Sequence, residues 1–247
     1  ITPQTFEVNI TGTNDVPIIT ASDVIGVITE GSVLADSGAI TFADVDLTDR
    51  PQASYAVKSL VALQADGTTS FTLTPEQSTQ IKAGFSIQQD SLSTNNGMVN
   101  WAYAIPELHI DFLAVGERVT LLETITVADG SGTATQDVTI TITGTDDLPI
   151  VEDSSVTALP ITGFEYQFSV QDFKFIDPDS TLQKIRITEL PKASTVDKPG
   201  ILVIRNVGSD NQVVEVVRNQ EILSSDIPKL FYIPNDDTEE PYFRFSV

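Results

Sequence analysis

The chain has 247 residues, 40% of them hydrophobic, which is enough to build the cores of one large or two ordinary domains. Its 35 Asp and Glu residues face 13 Lys and Arg residues, and the formal net charge of -22 argues against nucleic acid and anionic membranes as partners and favours cations. The absence of cysteine excludes disulfides, thiolate metal sites and cysteine nucleophiles, and the single histidine, His109, makes a histidine-based zinc site or a Ser-His-Asp triad hard to assemble.

The first half of the chain is dominated by apolar and polar residues that alternate at period two. This alternation, rich in Val, Ile, Thr and aromatic residues, predicts β-strands. Clusters of Gly, Asn and Asp between the alternating stretches supply the residues that turns require. The predicted strands are 5–12, 54–63, 69–74, 98–105, 118–129 and 135–144.

One helix is predicted within this half, over residues 74–84. Thr74 suits the N-cap, Pro75 suits the first turn, and Gln77 occupies the capping-box position three residues after the cap. Gly84 is suited to end the helix. All other periodic segments predict strands, so the composition favours antiparallel β-sandwiches over an α/β sheet.

The second half of the chain repeats the strand pattern and ends on a strand. We therefore expect this domain to be truncated before its last strand. The acidic stretch 235–241 is predicted to be a polar connection between the last two strands. The predicted strands are 166–177, 183–190, 200–206, 212–219, 229–234 and 242–247.

A short acidic phrase occurs twice and divides the chain. Residues 11–18 read TGTNDVPI and residues 143–150 read TGTDDLPI. A β-domain closed by a strand, then two acidic or amide residues, then Pro and a new strand, is the plan of tandem domains. We predict an all-β chain of tandem cadherin-like or immunoglobulin-like antiparallel sandwiches, end to end. The predicted parts are 1–13, the terminal strand of a preceding repeat, then 14–145 and 146–247 as two sandwiches.

Oxygen-bearing side chains recur in the same order in both predicted domains. Each has an acidic or amide pair before its first strand, an early glutamate and an Asp-x-Asp motif. Such oxygen clusters on short loops suit Ca²⁺, which takes six to eight hard ligands with irregular geometry. Each motif alone is equally typical of a solvated turn. The two sets are Asn14, Asp15, Glu30, Asp44 and Asp46, and Asp146, Asp147, Glu152, Asp153, Asp177 and Asp179.

The sequence resembles the VCBS-type, cadherin-like repeats of giant bacterial repeats-in-toxin (RTX) adhesins and biofilm proteins. The resemblance covers 14–147 and is most specific in VADGSGTATQDVTITITGTDD, residues 127–147. The second half is similar to a companion cadherin-like repeat through FSVQDFKFIDPDSTLQKIRITELP, residues 168–191, and KLFYIPNDD, residues 229–237. The resemblance implies that Ca²⁺ bound between and at the ends of domains stiffens the chain.

The resemblance also implies two sets of calcium ligands. The upstream site takes Asn14, Asp15, Glu30, Asp44 and Asp46. The downstream site takes Asp146, Asp147, Asp177 and Asp179, with either Glu152 or Glu165 as the early glutamate. Asp129 lies in a loop before the last strand of the first domain, where it either reaches a junction site or simply makes a turn.

We therefore expect a calcium-stabilised extender module of a large bacterial surface adhesin. It would hold a distal ligand-binding region away from the cell in adhesion and biofilm formation, as an extracellular protein. The expected partners are Ca²⁺ and neighbouring repeats of the same chain. The chain lacks a signal peptide and any apolar run of about 18 residues, so direct membrane insertion is not expected.

Two other functions compete with this expectation. The chain is alternatively a ligand-binding module that grips a carbohydrate or peptide, for which Trp101 and Tyr103 on one face of a strand are candidate stacking residues. Packing of both aromatics in the core is the favoured interpretation, as it is for Phe173 and Phe175. No enzyme is expected, since no carboxyl pair stands in an apolar setting. We expect a monomer, with one hypothesis that strand 5–12 of another copy pairs with the edge left after Val247.

Overall fold

The computed structural model describes residues 3–156, 165–192, 200–205, 212–234 and 242–247. The chain divides into two compact units, Ile1–Asp146 and Asp147–Val247, here called unit 1 and unit 2. Both are built from β-sheets, and the predicted all-β fold class is confirmed. Within the described residues, no helix combines the length and apolarity that crossing a bilayer requires.

Unit 1 contains two four-stranded sheets. One has the order β1-β3-β6-β5 and the other the order β2-β8-β7-β4. A 3-10 turn, Glu107–His109, lies between β6 and β7. The strands are β1 (Ile18–Ser22), β2 (Ile25–Thr29), β3 (Ala35–Ala43), β4 (Gln52–Leu63), β5 (Phe85–Gln89), β6 (Asn96–Ala104), β7 (Arg118–Ala128) and β8 (Thr133–Thr143).

The sheets of unit 1 are antiparallel except for one pair. β2 runs parallel to β8, with Ile25 opposite Thr139 and Thr29 opposite Thr143. The chain crosses from β1 in the first sheet to β2 in the second after only two residues, Asp23 and Val24. The predicted antiparallel sandwich therefore contains one parallel pair, which the sequence pattern does not indicate because it does not encode strand direction.

The core of unit 1 forms from the inward faces of its alternating strands. β7 alternates strictly, with Val119, Leu121, Ile125 and Val127 fully buried. Trp101 and Tyr103 on β6 have only 1% and 0% of their surface exposed, so the predicted core packing is confirmed and neither ring is available for stacking on a ligand.

One inward position of β7 carries a carboxyl group, Glu123. The residue is fully buried, and in the part of the chain that the structure describes neither of its carboxyl oxygens has a hydrogen-bond partner. Burial raises the pKa of Glu123 to about 7, and the positive charge of Lys82 opposes this only in part. Glu123 is a polar defect in an otherwise apolar layer.

The predicted helix of unit 1 is confirmed as α1 (Pro75–Ala83). Thr74 Oγ1 accepts a hydrogen bond from the amide of Gln77 at 3.2 Å, and Gln77 Oε1 accepts from the amide of Thr74 at 2.8 Å. This reciprocal box satisfies two amides that the first helical turn leaves without carbonyl partners. Gly84 ends the helix, as predicted.

The described residues of unit 2 form shorter strands in three sheets. Their orders are β10-β16-β13-β14, β15-β12-β17 and β11-β9. Short 3-10 turns span Val170–Asp172 and Ser224–Lys229. The strands are β9 (Ile150–Val151), β10 (Tyr166–Gln167), β11 (Phe175–Ile176), β12 (Lys184–Lys192), β13 (Gly200–Arg205), β14 (Val213–Glu215), β15 (Glu221–Leu223), β16 (Leu230–Pro234) and β17 (Tyr242–Ser246).

The core of unit 2 is a cluster of aliphatic and aromatic side chains. Phe173 is 4% exposed and packs edge-on against Phe245, with ring centroids 5.0 Å apart. Phe175 is partly buried and packs against the same cluster. The predicted inward packing of Phe173 and Phe175 is confirmed.

Several predicted strands are absent or shorter in the structure. Residues 5–12 and 69–74 form no strand, 166–177 breaks into β10, a 3-10 turn and β11, and only the start of 212–219 pairs, as β14. Alternation is a local signal, whereas a strand needs a neighbour to accept its backbone hydrogen bonds. Residue 206 and the predicted connection 235–241 lie outside the described residues.

Candidate metal centre

Three aspartates gather immediately after β3 in unit 1. Oxygen atoms of Asp44, Asp46 and Asp49 lie within 4.8 Å of one another. The backbone leaves the pleat here because Asp44 Oδ1 accepts the amide of Asp46 at 2.9 Å, and the carbonyl of Asp46 accepts the amide of Asp49 at 3.0 Å. These two turns bring side chains to one point that an extended strand would separate.

Asp44 is the buried member of this cluster. Only 4% of its surface is exposed, and Asn95 fixes its backbone through hydrogen bonds of 2.9 Å and 2.6 Å. Its Oδ1 is satisfied by the amide of Asp46, but its Oδ2 is buried and has no hydrogen-bond partner among the described residues. A buried carboxylate oxygen without a donor is costly. A bound cation would remove that cost.

The segment that precedes β1 is tied to the same cluster. The amide of Asp15 donates to Asp46 Oδ2 at 2.7 Å. Asn14 Nδ2 donates to Asp129 Oδ2 at 3.0 Å and to the carbonyl of Asp15 at 2.7 Å. Four of the five residues predicted for the upstream site, together with Asp129, therefore lie in one hydrogen-bonded group.

Asp129 occupies the turn between β7 and β8, which packs against the segment before β1. Its Oδ1 accepts the amides of Ser131 and Gly132, both at 2.6 Å. The hydrogen bond from Asn14 and then these backbone amides hold the pKa of Asp129 below its usual value. Gly132 allows a close approach to the segment before β1, since a Cβ there would lie 1.9 Å from Val16 Cγ1 and would force that side chain to shift. Asp129 both makes a turn and reaches the cluster.

The acidic groups of this cluster repel one another. The pKa of Asp49 is raised, first by loss of solvation and then by the negative charges of Asp46, Asp44 and Asp129. Asp49 was not among the residues predicted as ligands, although it completes the motif Asp-x-Asp-x-x-Asp. The turn that returns the chain towards Asp46 is what brings it into the site.

Glu30 lies at the opposite end of unit 1, which corrects its predicted place in the upstream site. It is 1% exposed, and its Oε2 accepts the amide of Thr145 at 2.7 Å. Thr145 follows the last residue of β8, whereas Asp129 precedes the first. β8 has 11 residues, and the rise of about 3.3 Å from each residue to the next separates its two ends by roughly 33 Å. Because β2 runs parallel to β8, its end carries Glu30 away from Asp44.

Unit 2 repeats the hydrogen bonds of the Asp-x-Asp motif. The amide of Asp179 donates to Asp177 Oδ1 at 3.2 Å, as the amide of Asp46 does to Asp44. Burial raises the pKa of Asp179 to about 6, with further increases from Asp177 and from the charge of Asp147, while a hydrogen bond from the backbone of Asp147 opposes them. The backbone of Asp147 thus donates a hydrogen bond to the carboxylate of Asp179, as the amide of Asp15 does to the carboxylate of Asp46.

The other residues predicted for the downstream site are not joined to this motif. Glu152 faces Lys174 at 3.9 Å and has 56% of its side chain exposed. The alternative early glutamate, Glu165, forms an ion pair with Arg205, which also lies over the ring of Phe231. Asp146 is exposed and belongs to unit 1.

The chemistry of these groups suits a hard cation. Carboxylate and amide oxygens are the ligands that Ca²⁺ takes, and the irregular arrangement on loops fits its tolerant geometry better than the octahedron of Mg²⁺. No cysteine is present in the sequence, and its one histidine, His109, lies in the 3-10 turn beyond β6, so a soft-metal site has no ligands in this cluster.

Comparison with known proteins gives structural neighbours only. No protein-family model and no curated protein matches the chain. The titin domains z1z2 in complex with telethonin are 11% identical, over 94% of this chain and 95% of that chain, with a TM-score of 0.32. AggA, the major subunit of aggregative adherence fimbriae type I from Escherichia coli, is 13% identical, over 55% of this chain and 99% of that chain, with a TM-score of 0.28. The SrpA adhesin from Streptococcus sanguinis is 13% identical, over 60% of this chain and 69% of that chain, with a TM-score of 0.27. TM-scores of this size carry no argument about function.

Proposed function

We propose that unit 1 binds Ca²⁺ through Asp44, Asp46 and Asp49, and that the chain is a calcium-stabilised extender module of a large bacterial surface adhesin. The observation that carries the proposal is the buried Oδ2 of Asp44, to which no described residue donates a hydrogen bond although its carboxylate lies beside two others. A divalent cation supplies the missing charge and the missing partner together.

Calcium would act on the segment that leads into unit 1. Asp46 is both a proposed ligand and the acceptor for the amide of Asp15, while Asn14 is bonded to Asp129. Without a cation, the repulsion among the carboxylates loosens the group that holds this segment. With Ca²⁺ bound, the same carboxylates become ligands and the segment is fixed in direction.

The repeated arrangement in unit 2 supports a second site of the same kind. Asp147, Asp177 and Asp179 reproduce the contacts of Asp15, Asp44 and Asp46, and they follow the second copy of the acidic phrase. One cation site for each module, placed where the chain enters it, is the arrangement expected of a spacer whose stiffness depends on calcium.

The surrounding medium would decide whether the sites are filled. Extracellular calcium modules typically bind at roughly 10⁻⁴–10⁻³ M, so external fluids load them and the cytosol does not. Binding only the ordered arrangement stabilises it by RT ln(1 + [L]/Kd). With its resemblance to cadherin-like adhesin repeats, the chain is proposed to work outside the cell, joined to neighbouring repeats, in adhesion and biofilm formation.

The test is calorimetric titration of the chain with Ca²⁺ after treatment with a chelator. The wild-type chain should bind with millimolar or tighter affinity, and Asp44→Asn should weaken the unit 1 site by at least roughly tenfold. Glu76→Gln on α1 removes the same charge away from the cluster and should leave binding unchanged. Equal affinities for the wild-type chain and Asp44→Asn would refute the site.

A further inference from the structure

Glu123 lies on the inward face of β7, between β8 on one side and β4 on the other. In the register of the sheet it stands opposite Val138 of β8 and Val57 of β4. The inward residues before and after it, Leu121 and Ile125, are fully buried. No described residue bonds to either oxygen of its carboxyl group. This position therefore suits the neutral, protonated form of the side chain and disfavours the charged form.

The two neighbouring strands cover Glu123 unequally. β8 is a central strand that pairs with both β7 and β2, and its residue Val138 is fully buried. Among the described strands, β4 is the edge of this sheet. Its residues Tyr55 and Val57 share the face of the buried residues opposite them on β7, yet they keep 44% and 43% of their surface exposed. The cover over the carboxyl group of Glu123 is therefore thinnest on the side of β4.

The pairing of β4 with β7 is also interrupted beside this carboxyl group. The register shifts between Val57 and Ser59, so β4 carries one extra residue there, as in a β-bulge. Hydrogen bonds from neighbouring segments hold the two ends of β4, at the amide of Ala53 and at the carbonyl of Ala62. The middle of β4, residues 55–60, is held mainly by its ladder to β7, and that ladder is irregular at this point.

The titratable groups near Glu123 offer little compensation for a negative charge. Burial raises the pKa of Glu123 to about 7, and the ammonium group of Lys82, in the last turn of α1, opposes this only in part. Lys82 is exposed, so its charge acts from outside the core. Other titratable side chains on the surrounding strands have partners elsewhere: Lys58 and Asp137 pair with each other at 2.5 Å, and the hydroxyls of Tyr55 and Tyr103 donate to backbone carbonyls.

We propose that Glu123 acts as a pH-sensitive release of the edge strand β4: when its carboxyl group loses the proton, the middle of β4 separates from β7 and lets water reach the carboxylate. Entry past the half-exposed Val57 breaks only the ladder around the register shift, whereas entry past Val138 would open the centre of the core. The pairs β7–β8 and β8–β2 therefore stay closed. This release does not involve the aspartate cluster, so it goes beyond the proposed calcium function.

The amount of opening follows from where the proton is held. The closed form keeps the proton up to about pH 7, whereas a solvated carboxyl group in the open form releases it near the ordinary glutamate pKa of 4.5. The open form therefore binds fewer protons than the closed form between these two values. Its population should rise about tenfold for each pH unit in this range and level off above about pH 7.

The test is hydrogen exchange of the 247-residue chain in millimolar calcium, measured by mass spectrometry, with each rate divided by that of the unfolded chain at the same pH. Protection of the β4 peptide, residues 52–63, should fall roughly 100-fold between about pH 5 and pH 7. Low concentrations of urea should leave this exchange unchanged, because a local opening exposes little surface. The β8 peptide, residues 133–143, should be better protected and should respond to urea. Equal protection and equal urea dependence of the two peptides would mean that all of unit 1 opens together, which overturns the proposal.

Two variants assign the effect to Glu123. Glu123→Gln keeps the shape of the protonated side chain and cannot ionise, so its β4 peptide should keep the protection of pH 5 throughout. Glu76→Gln removes a carboxylate from the exposed first turn of α1 and should show the same fall as the wild type. The fluorescence of the buried Trp101 checks that both variants are folded. A folded Glu123→Gln variant whose β4 peptide still loses protection roughly 100-fold would overturn the proposal. If this variant does not fold, the urea comparison on the wild type decides.

Discussion

The buried carboxyl group of Glu123 makes the stability of unit 1 depend on pH. Burial raises the pKa of Glu123 to about 7 in the folded chain, against an ordinary value of 4.5, because the core deprives its carboxylate of solvation. The folded state therefore holds a proton that the unfolded state releases. Between about pH 4.5 and pH 7, stability falls as pH rises.

The size of the effect follows from the difference between these two pKa values. At about 1.4 kcal/mol for each pH unit, unit 1 loses about 3 kcal/mol through this group by about pH 8, compared with about pH 4. Glu123→Gln keeps the shape of the protonated side chain and cannot ionise. It should match the wild type near pH 4 and exceed its stability by about 3 kcal/mol near pH 8.

The assay is urea unfolding followed by the fluorescence of Trp101, the only tryptophan in the sequence, which lies in the core of unit 1. Chelator keeps the calcium sites out of the comparison. Glu76→Gln, on the surface of α1, is the matched control and should keep the wild-type dependence on pH. The reasoning fails if the free energies of unfolding of the wild type and Glu123→Gln differ by the same amount at both pH values. That result would mean that the carboxyl group is ionised or solvated in the folded state.

Two further substitutions test the local contacts on which the site and the fold depend. Gly132→Ala places a Cβ 1.9 Å from Val16 Cγ1, so it should destabilise unit 1 by about 1–3 kcal/mol and weaken calcium binding. Gly12→Ala is the control: its Cβ meets no atom within 4 Å, so stability and calcium binding should stay unchanged. Unaltered urea unfolding of Gly132→Ala would contradict the packing. Thr74→Ala removes the cap of α1 and should cost about 1 kcal/mol in the same unfolding assay, and an unchanged midpoint would show that the capping box contributes nothing.

The sequence predicts those elements whose signal is local. β4, β7 and β8 follow from alternation over ten or more residues, and α1 follows from its caps. β3 is missed because its middle is Ser37-Gly38-Ala39, small residues without an apolar stripe. The structure explains them, since a Cβ on Gly38 would lie 2.7 Å from the indole of Trp101. The neighbouring strand supplies the bulk that β3 lacks. β5 and β15 are too short for their alternation to predict them, whereas β1 and β9 begin directly after Pro17 and Pro149, where the acidic phrases predict a new strand.

Some residues of the candidate site are predictable from local sequence, whereas the positions of others depend on pairing between distant strands. Asp44 and Asp46 are predicted from their spacing, because the turn that joins them depends only on a hydrogen bond between residues two positions apart. The end of the sandwich on which Glu30 falls depends on the parallel pairing of β2 with β8, which no local pattern encodes. The contact of Asp129 with Asn14 spans 115 residues and likewise depends on the fold.

Small-angle X-ray scattering of the 247-residue chain, in millimolar calcium and in chelator, tests the central claim most directly. If calcium binds the aspartate clusters and fixes the segments that lead into each unit, calcium should narrow the distribution of interatomic distances and chelator should broaden it. Asp44→Asn should lose part of this response. Identical scattering curves with calcium and with chelator, from a chain that folds in both, would contradict the account.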